Sequence, residues 1–103
     1  MAYLNITADN FEELVLKNER TVLLDFWAPW CGPCRMVAPL VEAIAEERED
    51  VTLGKVNIDE EMALAVRFGI VSIPTLVVMK GGEPTAKAVG YMPKADIEKL
   101  LEK

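Results

Sequence analysis

The stretch Thr21–Trp27 (TVLLDFW) constrains the fold more than any other part of the sequence. It is apolar at nearly every position and is interrupted only by Asp25, rather than alternating between apolar and polar residues. Two apolar faces are typical of a central parallel strand that is covered by helices on both sides. We therefore expect an α/β layer fold with Thr21–Trp27 inside its sheet.

Apolar periodicity and turn residues elsewhere predict the order βαβαβαββα, with right-handed crossovers between the parallel strands. Strands are predicted at Tyr3–Ile6, Thr21–Trp27, Val51–Ile58, Thr75–Lys80 and Thr85–Val89. Helices are predicted from Thr7, as N-cap, to about Lys17, from the Cys31–Cys34 segment to about Glu47, and over Glu60–Phe68 and Lys94–Glu102. Gly81-Gly82 predicts a hairpin between the last two strands.

The second predicted helix is amphipathic. Its apolar residues recur at helical spacing and are expected to face the core: Met36, Val37, Leu40, Val41 and Ile44. Pro39 lies inside this pattern and should kink the helix.

Composition narrows the class of protein. The length of 103 residues predicts one domain over residues 1–103, and the net charge of −6 without a basic cluster argues against nucleic acid as a partner. No apolar stretch is long enough to span a bilayer. The residues after Met1 do not resemble a signal peptide, so the cytosol is the expected location.

The chain contains two cysteines, Cys31 and Cys34, and no histidine. A cysteine pair in a reducing compartment is not expected to be a structural disulfide. The absence of histidine excludes histidine-activated nucleophiles, and two cysteines cannot complete a tetrahedral zinc shell within one chain. We therefore expect a redox pair with no bound metal or cofactor. A metal- or cluster-bridged dimer through Cys31 of two chains is an alternative.

The spacing and position of the two cysteines suit reversible disulfide chemistry. Residues i and i+3 of a helix lie roughly 5–6 Å apart, which is the separation that a disulfide needs. Cys31 falls at the helix start, where free N–H groups and the helix dipole favour a thiolate, and Pro33 presets that start. Cys34 lies one turn deeper and should be more buried. Cys31 is therefore predicted to attack substrate disulfides and Cys34 to resolve the mixed disulfide.

Asp25 and Lys55 are further candidates for the catalytic site. A carboxylate within Thr21–Trp27 should face the core, where burial raises its pKa and suits it to accept the proton of Cys34. Alternatively, Asp25 leans toward a strand edge or a loop amide. Strand alternation predicts a buried stem for Lys55, whose ammonium would lower the pKa of Asp25. Alternatively, Lys55 reaches solvent from its strand end.

The segment Phe26–Cys34 (FWAPWCGPC) resembles the active-site segment of the thioredoxin family. The similarity extends along the whole chain, to Asp25, Pro39, Lys55, Val56–Asp59, Phe68–Ile70, Ile73–Thr75 and Val89–Gly90. It implies a thioredoxin fold, in which a central five-stranded mixed sheet is flanked by four helices. Gly32-Pro33 between the cysteines resembles the reducing members of the family, which implies that these two residues, together with Pro74, tune the redox pair.

The resemblance also concerns Pro74. From the sequence alone, Pro74 opens a strand and its peptide bond is expected to be trans. The resemblance instead implies a cis bond, packed against the disulfide and keeping the sulfur atoms free of metal. It further implies that the backbone at Ile73 pairs with an extended substrate, as an added strand does. The implied docking surface around Cys31 consists of Trp30, Gly32, Pro33, Ile73, Pro74 and Gly90.

The partners implied by the resemblance are disulfide-containing proteins and a thioredoxin reductase, which uses NADPH and flavin that this chain does not itself bind. A monomer is expected. Two positions depart from the family pattern: Met79 replaces a common aromatic residue, and Tyr91-Met92-Pro93 beside Gly90 is bulkier than usual, which could shift partner preference. A scaffold or binding module that keeps the fold without catalysis is the alternative function.

Overall fold

The computed structural model describes residues 3–103, so the first two residues of the predicted domain lie outside it. The strands are β1 (Tyr3–Asn5), β2 (Thr21–Trp27), β3 (Val51–Asn57), β4 (Thr75–Lys80) and β5 (Glu83–Val89). The helices are α1 (Gly32–Glu47), α2 (Met62–Arg67) and α3 (Lys94–Leu101), and a π-helical turn spans Glu12–Leu16. Within these described residues, no helix is long and apolar enough to cross a membrane.

The five strands form one sheet in the order β1-β3-β2-β4-β5, so β2 is central as predicted. It runs parallel to β3 and antiparallel to β4, and β1 is parallel to β3. The sheet is therefore mixed, with four helical segments around it. The five-stranded mixed sheet flanked by four helical segments, which the resemblance implied, is confirmed.

The two apolar faces predicted for β2 are both buried. Leu23 belongs to a core beneath α1 and α3 that includes Val41 and Ile97. Its neighbours Leu24 and Phe26 belong to the opposite core, beneath the π-helical turn and α2. Because side chains alternate along a strand, Asp25 shares the α1 face with Leu23.

The apolar face of α1 is narrower than predicted. Val37, Val41 and Ile44 are fully buried and Leu40 is half-buried, whereas Met36 is 59% exposed. Consecutive helical residues point about 100° apart, so the side chain preceding Val37 is turned out of the buried stripe. Including Met36 in the core was therefore wrong. Pro39 does lie inside the helix, on its exposed side.

Two other predicted helices are shorter in the structure. Thr7 Oγ1 accepts a hydrogen bond from the N–H of Asn10 (3.3 Å), but this bond closes a turn, and the N-cap of the helical segment is Phe11, so the predicted N-cap at Thr7 was wrong. The segment after Phe11 closes with a bond from Lys17 N–H to Glu12 O. That i to i+5 bond makes it a π-helical turn. Helix α2 begins at Met62 rather than at Glu60.

The free edges of the sheet are β1 and β5. Between β4 and β5, Gly81 and Gly82 have φ of 58° and 81°, which suits the predicted two-residue hairpin. Strand β5 begins at Glu83, earlier than predicted, and includes Pro84 opposite an irregularity at Val78/Met79. Within the described residues 3–103, strand β1 spans 3 residues, Tyr3–Asn5. Both edges are therefore short or interrupted.

Candidate active site

Cys31 and Cys34 form a disulfide at the start of α1. Their Cα atoms are 5.3 Å apart, as the i, i+3 spacing predicted. Cys31 is the N-cap residue, and its Sγ accepts a hydrogen bond from the N–H of Cys34 (3.2 Å), with Pro33 in the first turn. A backbone donor at the positive end of the helix dipole thus points at Cys31 Sγ, where it would stabilise a thiolate.

The surroundings of the two sulfur atoms differ more than their exposure does. Cys31 is 5% exposed and Cys34 is 3% exposed, so the expected greater burial of Cys34 holds only by a small margin. Cys31 Sγ lies 3.8 Å from the carbonyl oxygen of Ile73. Cys34 instead lines a partly open cavity on the other side of the pair.

The Ile73–Pro74 peptide bond is cis, as the resemblance implied and unlike the trans form expected from the sequence alone. Pro74 O accepts a hydrogen bond from the N–H of Gly90 (2.8 Å). Gly90 has φ of 94°, a conformation that glycine adopts without the steric cost of a Cβ atom. The segments around Pro74 and Gly90 therefore meet beside Cys31.

The residues of the predicted docking surface differ in their exposure. Trp30 is 65% exposed, and its Nε1 donates to Asp59 Oδ2 (3.1 Å). Pro33 is exposed, Gly32, Ile73 and Gly90 are half-buried, and Pro74 is buried. The backbone N–H and C=O of Ile73 form no backbone hydrogen bond within residues 3–103, so both can pair with an added strand.

A cavity of about 140 Å³ lies behind the cysteines, between α1 and the sheet. Residues lining it include Tyr3, Asp25, Trp27, Cys34, Arg35 and Lys55. Asp25 Oδ1 and Trp27 Nε1 are buried and have no hydrogen-bond partner elsewhere in the described chain. A space of this size, with these two polar atoms on its walls, has room for water, which could link them to Cys34.

Asp25 is 1% exposed, which agrees with the predicted burial. Burial raises the pKa of its carboxyl from the ordinary 3.8 to about 6. The Lys55 ammonium opposes this rise, and the nearby Glu42 carboxylate adds to it. A carboxyl that exchanges its proton near neutral pH can act as a general base at that pH. The predicted alternative, a side chain leaning toward the sheet edge, does not apply because β2 is central.

Lys55 is opposite Asp25 in the β2–β3 register, and its side chain is only 11% exposed, as predicted. Its ammonium, however, pairs with Glu42 (Nζ–Oε2 2.5 Å) and lies 4.3 Å from the centroid of the Tyr3 ring. Sequence reasoning missed Glu42. A signal was present, because Cys34, Ala38 and Glu42 recur every four residues and therefore lie along one side of α1.

Comparison with known proteins gives a consistent result. Residues 2–103 match the family model described as Thioredoxin. A thioredoxin of Porphyra purpurea is 46% identical over 104 residues, covering 100% of this chain and 97% of that protein. A thioredoxin of Streptomyces clavuligerus is 53% identical over 91 residues, covering 88% of this chain and 85% of that protein. A thioredoxin of Alicyclobacillus acidocaldarius is 46% identical over 101 residues, covering 97% and 95%.

Proposed function

This chain belongs to the thioredoxin family and is a thiol–disulfide oxidoreductase, and we propose that Cys31 attacks substrate disulfides and Cys34 resolves the mixed disulfide. The observation that carries this assignment is the different setting of the two sulfur atoms. Cys31 Sγ accepts the Cys34 N–H and lies beside Ile73 O, whereas Cys34 lines the cavity that contains Asp25.

In the first step, the Cys31 thiolate attacks one sulfur of the substrate disulfide. The substrate S–S bond breaks, a Cys31–substrate disulfide forms, and the leaving thiolate takes up a proton. The donor at the helix start supports this step because it stabilises the thiolate form of Cys31 at neutral pH.

In the second step, the Cys34 thiol gives its proton to Asp25 and attacks Cys31 Sγ. The mixed disulfide breaks, the second substrate sulfur leaves as a thiolate, and the Cys31–Cys34 disulfide forms. One substrate disulfide is thus reduced while one dithiol is oxidised. The raised pKa of Asp25 and the cavity that it shares with Cys34 support this proton transfer.

Substrates are proposed to dock on Trp30, Gly32, Pro33, Ile73, Pro74 and Gly90, with the backbone at Ile73 pairing with an extended segment. The N–H and C=O of Ile73, which make no backbone hydrogen bond in the described part of the chain, and the exposure of Trp30 support this mode. Gly32, Pro33 and Pro74 are proposed to tune the redox pair. Gly32 and Pro33 lie at the start of α1, and Pro74 follows Ile73, whose carbonyl oxygen lies 3.8 Å from Cys31 Sγ.

Members of this family act on disulfide substrates and are reduced by a reductase. We propose that an NADPH-dependent flavin thioredoxin reductase regenerates this dithiol, and that the protein works in the cytosol as a monomer. Use of its only two cysteines as a reversible pair supports a reducing compartment. The short and interrupted sheet edges support a monomer.

Reduction of insulin disulfides by dithiothreitol tests the function. The unmodified protein should accelerate the reaction, and Cys31→Ser should abolish the acceleration. Cys34→Ser, which retains the attacking sulfur, should consume substrate disulfide once without turning over. Acceleration that survives in Cys31→Ser would contradict the assignment, and retained partner binding without any acceleration would favour a scaffold.

A further inference from the structure

The Lys55 ammonium interacts with two carboxylates, those of Asp25 and Glu42. It faces Asp25 in the β2–β3 register, yet within residues 3–103 its only ion pair is with Glu42, at 2.5 Å. The Tyr3 ring lies 4.3 Å from the ammonium at its centroid and favours a cation there. The ammonium is therefore held on the Glu42 side of the cavity.

Glu42 is well placed for this contact because of the helix that carries it. Cys34, Ala38 and Glu42 lie along one side of α1, and the first two of them line the cavity. The Lys55 side chain is only 11% exposed, and a largely buried ammonium requires a charged or polar partner. The helix of the resolving cysteine thus also supplies the carboxylate that satisfies Lys55.

The groups that face Asp25 from the surrounding elements leave few other sources of charge. They are Lys55 from β3, Tyr3 from β1, Arg35, Cys34 and Glu42 from α1, and the apolar Leu76 from β4. Arg35 directs its guanidinium to the carbonyl oxygen of Pro29 (2.8 Å). Lys55 is therefore the cation whose position matters most for Asp25.

We propose that Glu42 is a positioning residue that competes with Asp25 for the Lys55 ammonium and so keeps Asp25 able to take the proton of Cys34. The inference rests on the role proposed above for Asp25. An ammonium paired directly with Asp25 would stabilise its carboxylate and make it a weaker base. By holding Lys55, Glu42 limits this effect while still satisfying the buried cation.

The test is a titration of the Asp25 carboxyl carbon by NMR in the disulfide form, in which neither cysteine titrates. In Glu42→Gln, Lys55 is released toward Asp25 and a neighbouring negative charge is lost, and both changes act in the same direction. The pKa of Asp25 is expected to fall by about 1, which is about tenfold weaker proton binding. An unchanged or higher pKa overturns the proposal.

Glu46→Gln is the matched control. Glu46 lies one turn further along α1, is exposed, and has no ion pair in the described part of the chain, so removing its charge should leave Asp25 unchanged. A fall equal to that in Glu42→Gln would mean that any charge on this helix has the same effect, and would overturn the proposal.

A Lys55→Met background separates positioning from direct repulsion. If Glu42 acts through Lys55, then Glu42→Gln should change the pKa of Asp25 by less than half as much once Lys55 is absent. An equal change in both backgrounds would show that Glu42 acts on Asp25 directly, and would overturn the positioning role.

The pH profile of mixed-disulfide resolution distinguishes this inference from the proposed function beneath it. In Glu42→Gln, the midpoint of the profile should move to lower pH together with the Asp25 titration. If the pKa of Asp25 falls in Glu42→Gln but the midpoint of the resolution pH profile stays the same, Asp25 is not the proton acceptor. The competition for Lys55 would then stand, but its link to Cys34 would be overturned.

Discussion

Asp25 of β2 and Cys34 of α1 line the same cavity, although they belong to different layers of the fold. The strand contributes a carboxyl with a pKa raised to about 6, and the helix contributes the sulfur that is proposed to lose a proton. The relationship depends on α1 packing across β2, because only this packing brings the two side chains to one space. The buried carboxyl therefore affects both the stability of the protein and its proposed chemistry.

Cys34→Ser should trap mixed disulfides with substrate proteins. Its Cys31 can still attack, but no second thiol is present to release the product. The trapped species should be visible by non-reducing electrophoresis and by mass spectrometry of the Cys31 peptide. The reciprocal variant, Cys31→Ser, should trap little. Adducts that instead accumulate through Cys34 would reverse the two roles.

Asp25→Asn should slow the resolving step more than the initial attack. A positioned base typically contributes about 10²- to 10⁴-fold, and we expect the lower end of this range because solvent can replace the lost base in part. Stopped-flow measurement of the two half-reactions separates the steps. In the unmodified protein, the resolving rate should rise as the pH increases through about 6, where Asp25 loses its proton. Equal slowing of both steps would argue against this role.

Asp25→Asn should also stabilise the disulfide form at pH 7. The pKa of Asp25 is about 6 in the folded protein and near 3.8 when unfolded, so the folded state binds more protons between these values. Stability therefore falls as the pH rises from about 4 to 6, and the ionised carboxylate costs about 3 kcal/mol at pH 7.

Urea denaturation at pH 7 and at pH 3 measures this effect. Asp25→Asn should gain stability at pH 7 and show little gain at pH 3, where Asp25 is protonated in both the folded and unfolded states. Glu60→Gln, which removes an exposed charge, is the control. A gain of the same size at both pH values would point to packing rather than to ionisation.

Gly54→Ala should destabilise the protein by about 1–3 kcal/mol. A Cβ atom at Gly54 would lie 2.8 Å from Ile6 Cγ1 and 3.2 Å from Leu24 Cδ2, inside the core beneath the π-helical turn. Gly32→Ala is a suitable comparison in the same denaturation experiment, because its Cβ would meet nothing within 4 Å. Similar losses in the two variants would show that crowding at Gly54 is not the cause.

Tyr91→Ala should change KM unevenly across a panel of disulfide-containing proteins. Tyr91 is 48% exposed and follows Gly90, which lies beside Pro74. Met92 is half-buried and packs against the core beneath α3, so replacing it would mix stability with specificity. Leu4→Ala, on the opposite sheet edge, is the control. If Tyr91→Ala changes KM by the same factor for every substrate in the panel, Tyr91 is not a source of partner preference.

Much of the fold was predictable because local chemistry decides it. The apolar faces of Thr21–Trp27 predicted a buried strand, and Gly81-Gly82 predicted the hairpin. Met36 was assigned wrongly because periodicity identifies an apolar side of a helix but not how far the sheet covers it. The cis bond before Pro74 could not be inferred from local preference, which favours trans, and came only from the family resemblance.

The sequence identified most residues of the site, but it predicted fewer of the contacts between them. The spacing of Cys31 and Cys34 fixed their separation, and the buried setting of Asp25 fixed the direction of its pKa. The partner of Lys55 was missed because the choice between Asp25 and Glu42 depends on how α1 lies across the sheet. That packing depends on contacts between residues far apart in the sequence, so it cannot be predicted from a local stretch of residues.

The interrupted edges of the sheet have a consequence for how this protein behaves at high concentration. In the proposed mechanism, a substrate segment pairs with the backbone at Ile73 as an added strand. A backbone that accepts a substrate strand could also pair with a second copy of this protein. The brief β1 and the proline of β5 offer little template for another copy at either side. We therefore expect that, at high concentration, this protein binds substrate proteins through Cys31 rather than aggregating with other copies of itself.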